Sequence, residues 1–532
     1  MKKPRLSLCM IAKDEEHNLP RCLNSVKDVV DEIILVDTGS SDRTIEVAER
    51  FGARVLRRRW RGSFAKARNC GLEAATGDWI LVLDADEELE GGKGPLVRAM
   101  MDMDDIEAAS FPVINLVSDG VWTHSEGAAS ARMWRNRPAY RFERDLHEQI
   151  LPSIYRWNPN ARVAQIDVRI FHYGYLRREI ERKGKRDRNL PLAQAAVAEI
   201  NDDFSHFNLG IELMIHNRYE EALTELRTAE RLMPADSVLL AKLRKSIVSC
   251  LIHLNRDQDA AAAAEEYLVE TPDYTDLHYL RGFAQYRSGD LAGAIRSFER
   301  CLELGPAPVC KYPGAVDGYG SHEAAWMLGQ MHEASQDYDA AVNAYRRAFA
   351  LNPGWLIPAF RCAVLLRRRL AGDALVEELE RLVGQERPDH RLIVAQCLYV
   401  AKDYLQTIAY LDRPELLGED PEARHFLRGH ALLRLGKWPE AADSLRQVTP
   451  ASPNYREAAV SLAWLYFSLG RAEEGETLLR SLGDDESVYI QLADISLQLA
   501  REWFLRALVL GGDPARLLPA AQALQTMLGA EG

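Results

Sequence analysis

Asp84-Ala85-Asp86 closes the apolar run Trp79-Ile80-Leu81-Val82-Leu83, and it is the sharpest concentration of chemistry in the chain. Two carboxylates at i and i+2 just past a buried strand can supply one direct ligand to a hard divalent cation. The other is then free to contact a ribose or a metal-bound water. Such a cation offsets the charge of a diphosphate, including the charge that grows as the diphosphate departs. Acidic turns are common, but this one ends an apolar strand, which favours the functional reading. Two further acidic clusters follow apolar runs: Asp14-Glu15-Glu16, and the turn Asp37-Thr38-Gly39-Ser40-Ser41-Asp42. A carboxylate in that turn can accept the N3–H of a uracil. Asp37 can equally be a turn residue, and Asp42 can cap the helix that starts at Thr44. Arg68, inside Lys66-Ala67-Arg68-Asn69, can approach a diphosphate or pair with a carboxylate.

The elements that must position these groups alternate. Residues 6–12, 32–36, 53–56 and 79–83 are short apolar runs of strand type, and 18–30, 44–51 and 64–75 carry helical periodicity. This alternation predicts an α/β domain with a largely parallel sheet. Ligands of such sheets bind beyond the carboxyl ends of the strands, where all three acidic clusters fall. A further strand-like run spans residues 163–170.

From about residue 177 the strand runs stop, and Ala, Leu, Glu and Arg dominate. Gly210, Ala222, Leu226, Ala229 and Pro234 recur at the same spacing as Gly282, Ala294, Phe298, Cys301 and Pro306. The pattern returns at Gly329, Ala341, Tyr345, Ala348 and Pro353, and at Gly429, Ala441, Leu445, Val448 and Pro453. This is the tetratricopeptide pattern, in which small residues let paired helices approach and Pro ends the second helix. The predicted organisation is a catalytic domain over 1–180, a repeat solenoid over 181–482 and capping helices over 483–532.

Net charge is −13, from 66 Lys and Arg against 79 Asp and Glu, which argues against nucleic acid as the main partner. The basic run Arg57-Arg58-Arg59-Trp60-Arg61 fits a solvated face. The eight cysteines show no CxxC pair, so neither a zinc site nor a disulfide frame is suggested. Reduced thiols, the lack of a signal-peptide pattern and the lack of an apolar run long enough to span a bilayer suggest a cytoplasmic protein with no membrane span.

Ser7-Leu8-Cys9-Met10-Ile11-Ala12-Lys13-Asp14-Glu15-Glu16, Val36-Asp37-Thr38-Gly39-Ser40-Ser41-Asp42, Ala67-Arg68-Asn69 and Gly77 to Glu87 appear in this order over about 80 residues. Together they resemble the motifs of family 2 glycosyltransferases. Fusion to tetratricopeptide repeats also resembles the peptide S-glycosyltransferases of the sublancin type, and lipopolysaccharide-core glucosyltransferases share a similar catalytic half. One departure is Asp14, where many relatives carry Asn. The resemblance implies a GT-A (Rossmann-like) fold and inverting transfer from a metal-bound nucleoside diphosphate sugar, a UDP-sugar in particular. It implies a Mg²⁺ or Mn²⁺ cofactor on Asp86, with Asp84 on the nucleotide sugar and a late His, here His172, in the metal shell. Ala12, Glu15, Asp37, Asp42 and Arg68 then bind the nucleotide. Asp145-Leu146-His147-Glu148-Gln149 resembles the family's His-Glu motif, so Glu148 is the first candidate for the base and His147 the second. The alternative for Glu148 is an ion pair to Arg141 or Arg144. The repeats are expected to hold a polypeptide or glycan acceptor, or to form a homodimer.

Two rival readings remain at this point. One is an inactive α/β domain on an adaptor scaffold, against which the intact Asp37, Asp84 and Asp86 argue. The other is a nucleotidyltransferase, which calls for a Gly-rich loop after the first strand. That position reads Lys13-Asp14-Glu15-Glu16-His17-Asn18, without glycine.

Overall fold

The computed structural model describes residues 3–118, 121–124, 130–174, 185–308, 311–312, 314–384, 386–387, 389–414 and 420–482. The expected capping helices over 483–532 lie outside these residues. Two compact units are formed, Met1–Met331 and His332–Gly532.

The first unit opens with β1 (Leu6–Ala12), α1 (Leu19–Val26), β2 (Glu32–Asp37), α2 (Thr44–Arg50), β3 (Arg54–Arg57), α3 (Phe64–Ala74) and β4 (Trp79–Val82). It continues through β5 (Glu87–Leu89), α4 (Gly94–Met101), β6 (Ala108–Phe111), β7 (Val113–Ser118), β8 (Val121–His124) and β9 (Ser130–Arg135). It closes its sheets with α5 (Leu151–Trp157), β10 (Val163–Gln165) and β11 (Ile170–His172). Among the described residues the strands make a seven-stranded sheet, β10-β6-β9-β4-β1-β2-β3, and a four-stranded sheet, β5-β11-β7-β8. The pairs β1–β2, β1–β4, β2–β3 and β6–β10 are parallel. The alternation of strand and helix therefore reads the first half of the large sheet correctly. β9, however, runs antiparallel to both β4 and β6, so the sheet is mixed.

The run over 163–170 is not one strand. Its first part, β10, extends the large sheet beside β6, and its last part, β11, joins the small sheet between β5 and β7. Apolar residues serve both positions, because Ile166, Val168 and Ile170 are all buried in the core shared by the two sheets.

The strands are buried because the sheet is covered on both faces. Leu6, Leu8, Leu35, Trp79 and Leu81 pack with Leu19, Leu23 and Val97 on one side. Cys9, Ile34, Ile80 and Val82 pack with Leu72, Trp134 and Ile154 on the other.

Helices from Lys185 onward form antiparallel pairs, such as Asp203–Ile215 with Tyr219–Leu232 and Thr275–Arg287 with Leu291–Leu304. The spaced small residues explain the pairing. A Cβ on Gly210 would lie 2.7 Å from Leu226, and one on Gly282 3.0–3.2 Å from Ser297 and Phe298. In the second unit a Cβ on Gly429 would lie 2.6 Å from Leu445. Close approach thus couples the first and third pattern positions of these three repeats. The first repeats share a unit with the sheets, so the change of texture near residue 180 marks a change of secondary structure, not a gap in packing. Replacing Gly210 by Val is expected to cost about 2 kcal/mol through overpacking against Leu226. Calorimetry should show it as a lowered melting temperature.

Candidate active site

The carboxyl ends of β1 and β4 open on a cavity of about 550 Å³. Ile11–Glu15 line it from β1, Asp84–Asp86 from the turn after β4, Arg68 from α3, Leu146–Glu148 from the turn before α5, and His172 from β11. Ala12, Glu15, Arg68, Asp84, Asp86, His147, Glu148 and His172 therefore meet in one place.

Asp37 and Asp42 are not in the lining. The Asp37 carboxylate accepts the N–H of Gly39 and of Ser40, both at 3.1 Å, and so holds its own turn. Asp42 accepts the N–H and hydroxyl of Thr44 at the start of α2, and the N–H of Glu16 at 3.0 Å. Asp14 stands in the left-handed region at φ 55, a conformation Asp and Asn tolerate through local hydrogen bonds. Its carboxylate accepts the N–H of Ser41 at 2.7 Å, tying the β1 loop to the β2 loop.

Arg68 is the centre of the site. It is buried, at 8% exposure, and donates from Nη2 to Asp84 Oδ1 at 2.7 Å and from Nε to Glu148 Oε1 at 2.5 Å. Burial disfavours both its own charge and that of Asp84, but the Coulomb attraction prevails. The Arg68 pKa rises, and Asp84, helped by Arg132, falls to about 2. The third guanidinium nitrogen, Nη1, is buried without a hydrogen-bond partner. A buried unpaired donor is costly, and the ion pairs on the other two nitrogens hold Nη1 in that position.

Glu148 is thus paired with Arg68. Arg144 is instead taken by Asp202, and Glu143 by Arg156. Glu148 Oε2 accepts no hydrogen bond among the described residues.

His172 and Asp86 meet because β11 pairs antiparallel with β5. The register sets His172 opposite Glu87, and the N–H of Tyr173 donates to Asp86 O at 2.9 Å. His172 Nε2 lies 3.5 Å from Asp86 Oδ2. Glu87 steadies the acidic turn by accepting the Asp84 N–H at 2.8 Å, and Arg132 pairs with it at 2.6 Å. Among the described residues no group of three or more His, Cys, Asp or Glu side chains is disposed to hold a metal alone. Asp86 and His172 are a contacting pair rather than a larger cluster of such side chains.

Sequence reasoning missed Trp60, Phe64 and Asn189 in the lining. Trp60 lies in a basic run whose arginines are indeed mostly exposed, but its own ring packs edge-on against Phe64 at 4.7 Å between centroids. Asn189 lies in the helix Lys185–Glu199, beyond the expected catalytic domain. Nothing in the local pattern around Asn189 signals a site; only the tertiary packing does.

Residues 7–164 match the family model described as Glycosyl transferase family 2. The chain carries a family 2 glycosyltransferase domain. Its mixed α/β part is the GT-A fold, and tetratricopeptide repeats follow it. Tetratricopeptide repeat models match residues 275–308, 322–355 and 426–485, and a model described as anaphase-promoting complex, cyclosome, subunit 3 matches 375–448. A TPR repeat-containing protein of Synechococcus elongatus is 41% identical over 204 residues, covering 37% of this chain and 49% of the relative. The SPbeta prophage-derived glycosyltransferase SunS of Bacillus subtilis is 27% identical over 230 residues, covering 42% of this chain and 53% of that protein. An uncharacterized glycosyltransferase of Rickettsia felis is 41% identical over 85 residues, covering 16% of this chain and 30% of the relative. The chain thus spans about half the length, or less, of these curated relatives.

The Arg68 bridge has a pH signature. Asp84 is lowered from 3.8 to about 2 in the folded protein, so its stabilisation is complete above 3.8 and is lost as pH falls through about 2. Arg68→Met removes the attraction and leaves a poorly solvated carboxylate. The stability gap between wild type and variant is therefore expected to be widest near neutral pH and to narrow as pH falls toward about 2, measured by denaturant titration.

Proposed function

We propose that the chain transfers a sugar, with inversion, from a nucleoside diphosphate donor to a polypeptide or glycan acceptor. The observation that supports this reading best is one cavity holding the family's acidic turn, a carboxylate suited to act as base, and a buried arginine with a spare donor.

In this reading the β1 loop from Ala12 to Glu15, with Thr38, holds the nucleoside. Asp37 accepts the N3–H of uracil with acceptor capacity left beyond its turn bonds. Asp86 and His172 would hold a Mg²⁺ or Mn²⁺ ion, and Asp84 stays on Arg68. When bound there, such a cation offsets the charge that builds on the leaving diphosphate. Arg68, which lines the cavity, lends its positive charge to the diphosphate. Glu148 Oε2 takes the proton from the acceptor as the acceptor's lone pair bonds to the anomeric carbon. The bond from that carbon to the diphosphate oxygen breaks on the opposite face, and its electron pair leaves with the nucleoside diphosphate. Arg68 keeps Glu148 in place through the other carboxylate oxygen. His147 lines the same side, and desolvation lowers its pKa, which favours its neutral form as a second acceptor of protons.

The decisive experiment is a panel of nucleotides and nucleotide sugars. UDP is expected to raise the melting temperature more than GDP or CDP, because a ligand bound only by the native state stabilises it. An equal or larger rise with GDP rejects the uridine preference. Glu148→Gln is expected to lower transfer by roughly 100-fold or more, in line with loss of a general base, while UDP affinity stays unchanged. Asp86→Ala should abolish metal-dependent turnover. Full activity of that variant, with or without EDTA, rejects the metal assignment.

A further inference from the structure

The turn that carries His147 and Glu148 is not held by the catalytic sheet alone. It is closed by a two-residue bridge in which Glu143 and Gln149 exchange N–H···O bonds at 3.0 Å. Inside it Arg144 sits at φ 76 and His147 at φ 54, in a region that L-residues with large side chains occupy only when their surroundings force them. The α/β part contributes the Phe64 N–H, which donates to Asp145 O at 2.9 Å, and the repeats contribute further contacts. Arg144 makes a two-pronged contact with Asp202, Nη1 to Oδ1 at 3.3 Å and Nη2 to Oδ2 at 2.7 Å, and its guanidinium lies 4.5 Å from the Phe204 ring centroid. Asp202 caps the repeat helix Asp203–Ile215 and forms a capping box with Ser205. Further along the same helix, the buried Glu212 lies 3.8 Å from His147 Nε2 and accepts from Asn189 Nδ2 at 3.2 Å. Between these polar contacts Leu146 is buried with Ala193, Phe207 and Leu209 of the repeat helices.

We propose that the first repeat helix, through Asp202 and Glu212, is a positioning element for the transfer reaction, clamping the 143–149 turn so that Glu148 stays on Arg68 at the cavity wall. The proposal rests on Glu148 acting in glycosyl transfer. It gives the repeats a role inside the active site, separate from any grip on an acceptor. Asp202, Glu212 and Arg144 act through the turn; none is assigned a contact with the reacting atoms. Small displacements of a base are enough to matter, because catalysis by proton transfer depends on ångström-scale geometry.

Asp202→Asn isolates the clamp, because Asn caps a helix as well as Asp but cannot hold a charged pair with Arg144. Glu212→Gln and Arg144→Gln serve as independent variants. In the full chain with Mn²⁺, UDP-glucose hydrolysis is the turnover probe, UDP the binding probe, and hydrogen–deuterium exchange of the 141–150 segment the structural readout. The expected result for Asp202→Asn is a melting temperature close to wild type, unchanged UDP affinity, faster exchange in 141–150, and kcat lowered about 10-fold to 100-fold. Unchanged exchange in 141–150 in all three variants, or faster exchange with wild-type kcat, overturns the clamp. Failure of the wild-type protein itself to bind UDP or turn over any nucleotide sugar overturns the functional reading, and is distinguished by appearing before any substitution is made.

Discussion

A buried guanidinium between two carboxylates is the constraint on which the site depends. Arg68 links the acidic turn after β4 to the turn before α5, two segments that share no backbone pairing with each other. A buried ion pair repays its desolvation only when geometry and hydrogen bonding are good, and a cation flanked by two anions meets that condition better than a single pair. Removing Arg68 would leave two carboxylates facing each other across a cavity, with Glu87 and Asp86 nearby. The charge balance of this wall is therefore set for an arginine, and the fork of its guanidinium reaches both partners at once, which a lysine cannot do.

The acidic turns, the first parallel strands and the repeat spacing are all legible in the sequence, and for one reason. Each is a local pattern: an apolar run ending in carboxylates, or small residues at a fixed interval that permit close helix packing. Gly210, Gly282 and Gly429 announce the repeats because each faces a large residue from the paired helix. What the sequence hides is which sheet a strand joins. The run over 163–170 has one apolar texture, yet it serves two sheets, and only the second placement brings His172 to Asp86.

Glu148 shows the same limit for charges. Arg141 and Arg144 are its neighbours in sequence, and an ion pair to either is the natural alternative to catalysis. Neither forms. Arg144 is drawn away by Asp202, 58 residues further on, and Glu148 turns to Arg68, 80 residues before it. A partner's sequence distance carries no information once the fold has closed, so charge pairing around Glu148 could not be assigned from spacing.

The boundary between catalytic and repeat parts follows from these contacts. Leu146 lies three residues from the β-bridge that closes its own turn, but its apolar neighbours include Phe207 and Leu209 from the first repeat helix. If the chain ended near residue 180, the turn would keep its two left-handed residues and lose the burial and ion pairs that hold them there. Left-handed Arg and His persist only where surroundings over-determine them. Under the proposed clamp, the contacts left to the turn are those from Phe64, Arg68 and Arg156, and its left-handed residues lose part of what holds them. A catalytic half defined by sequence texture alone is therefore incomplete: the first repeat helices are part of what makes the wall of the cavity.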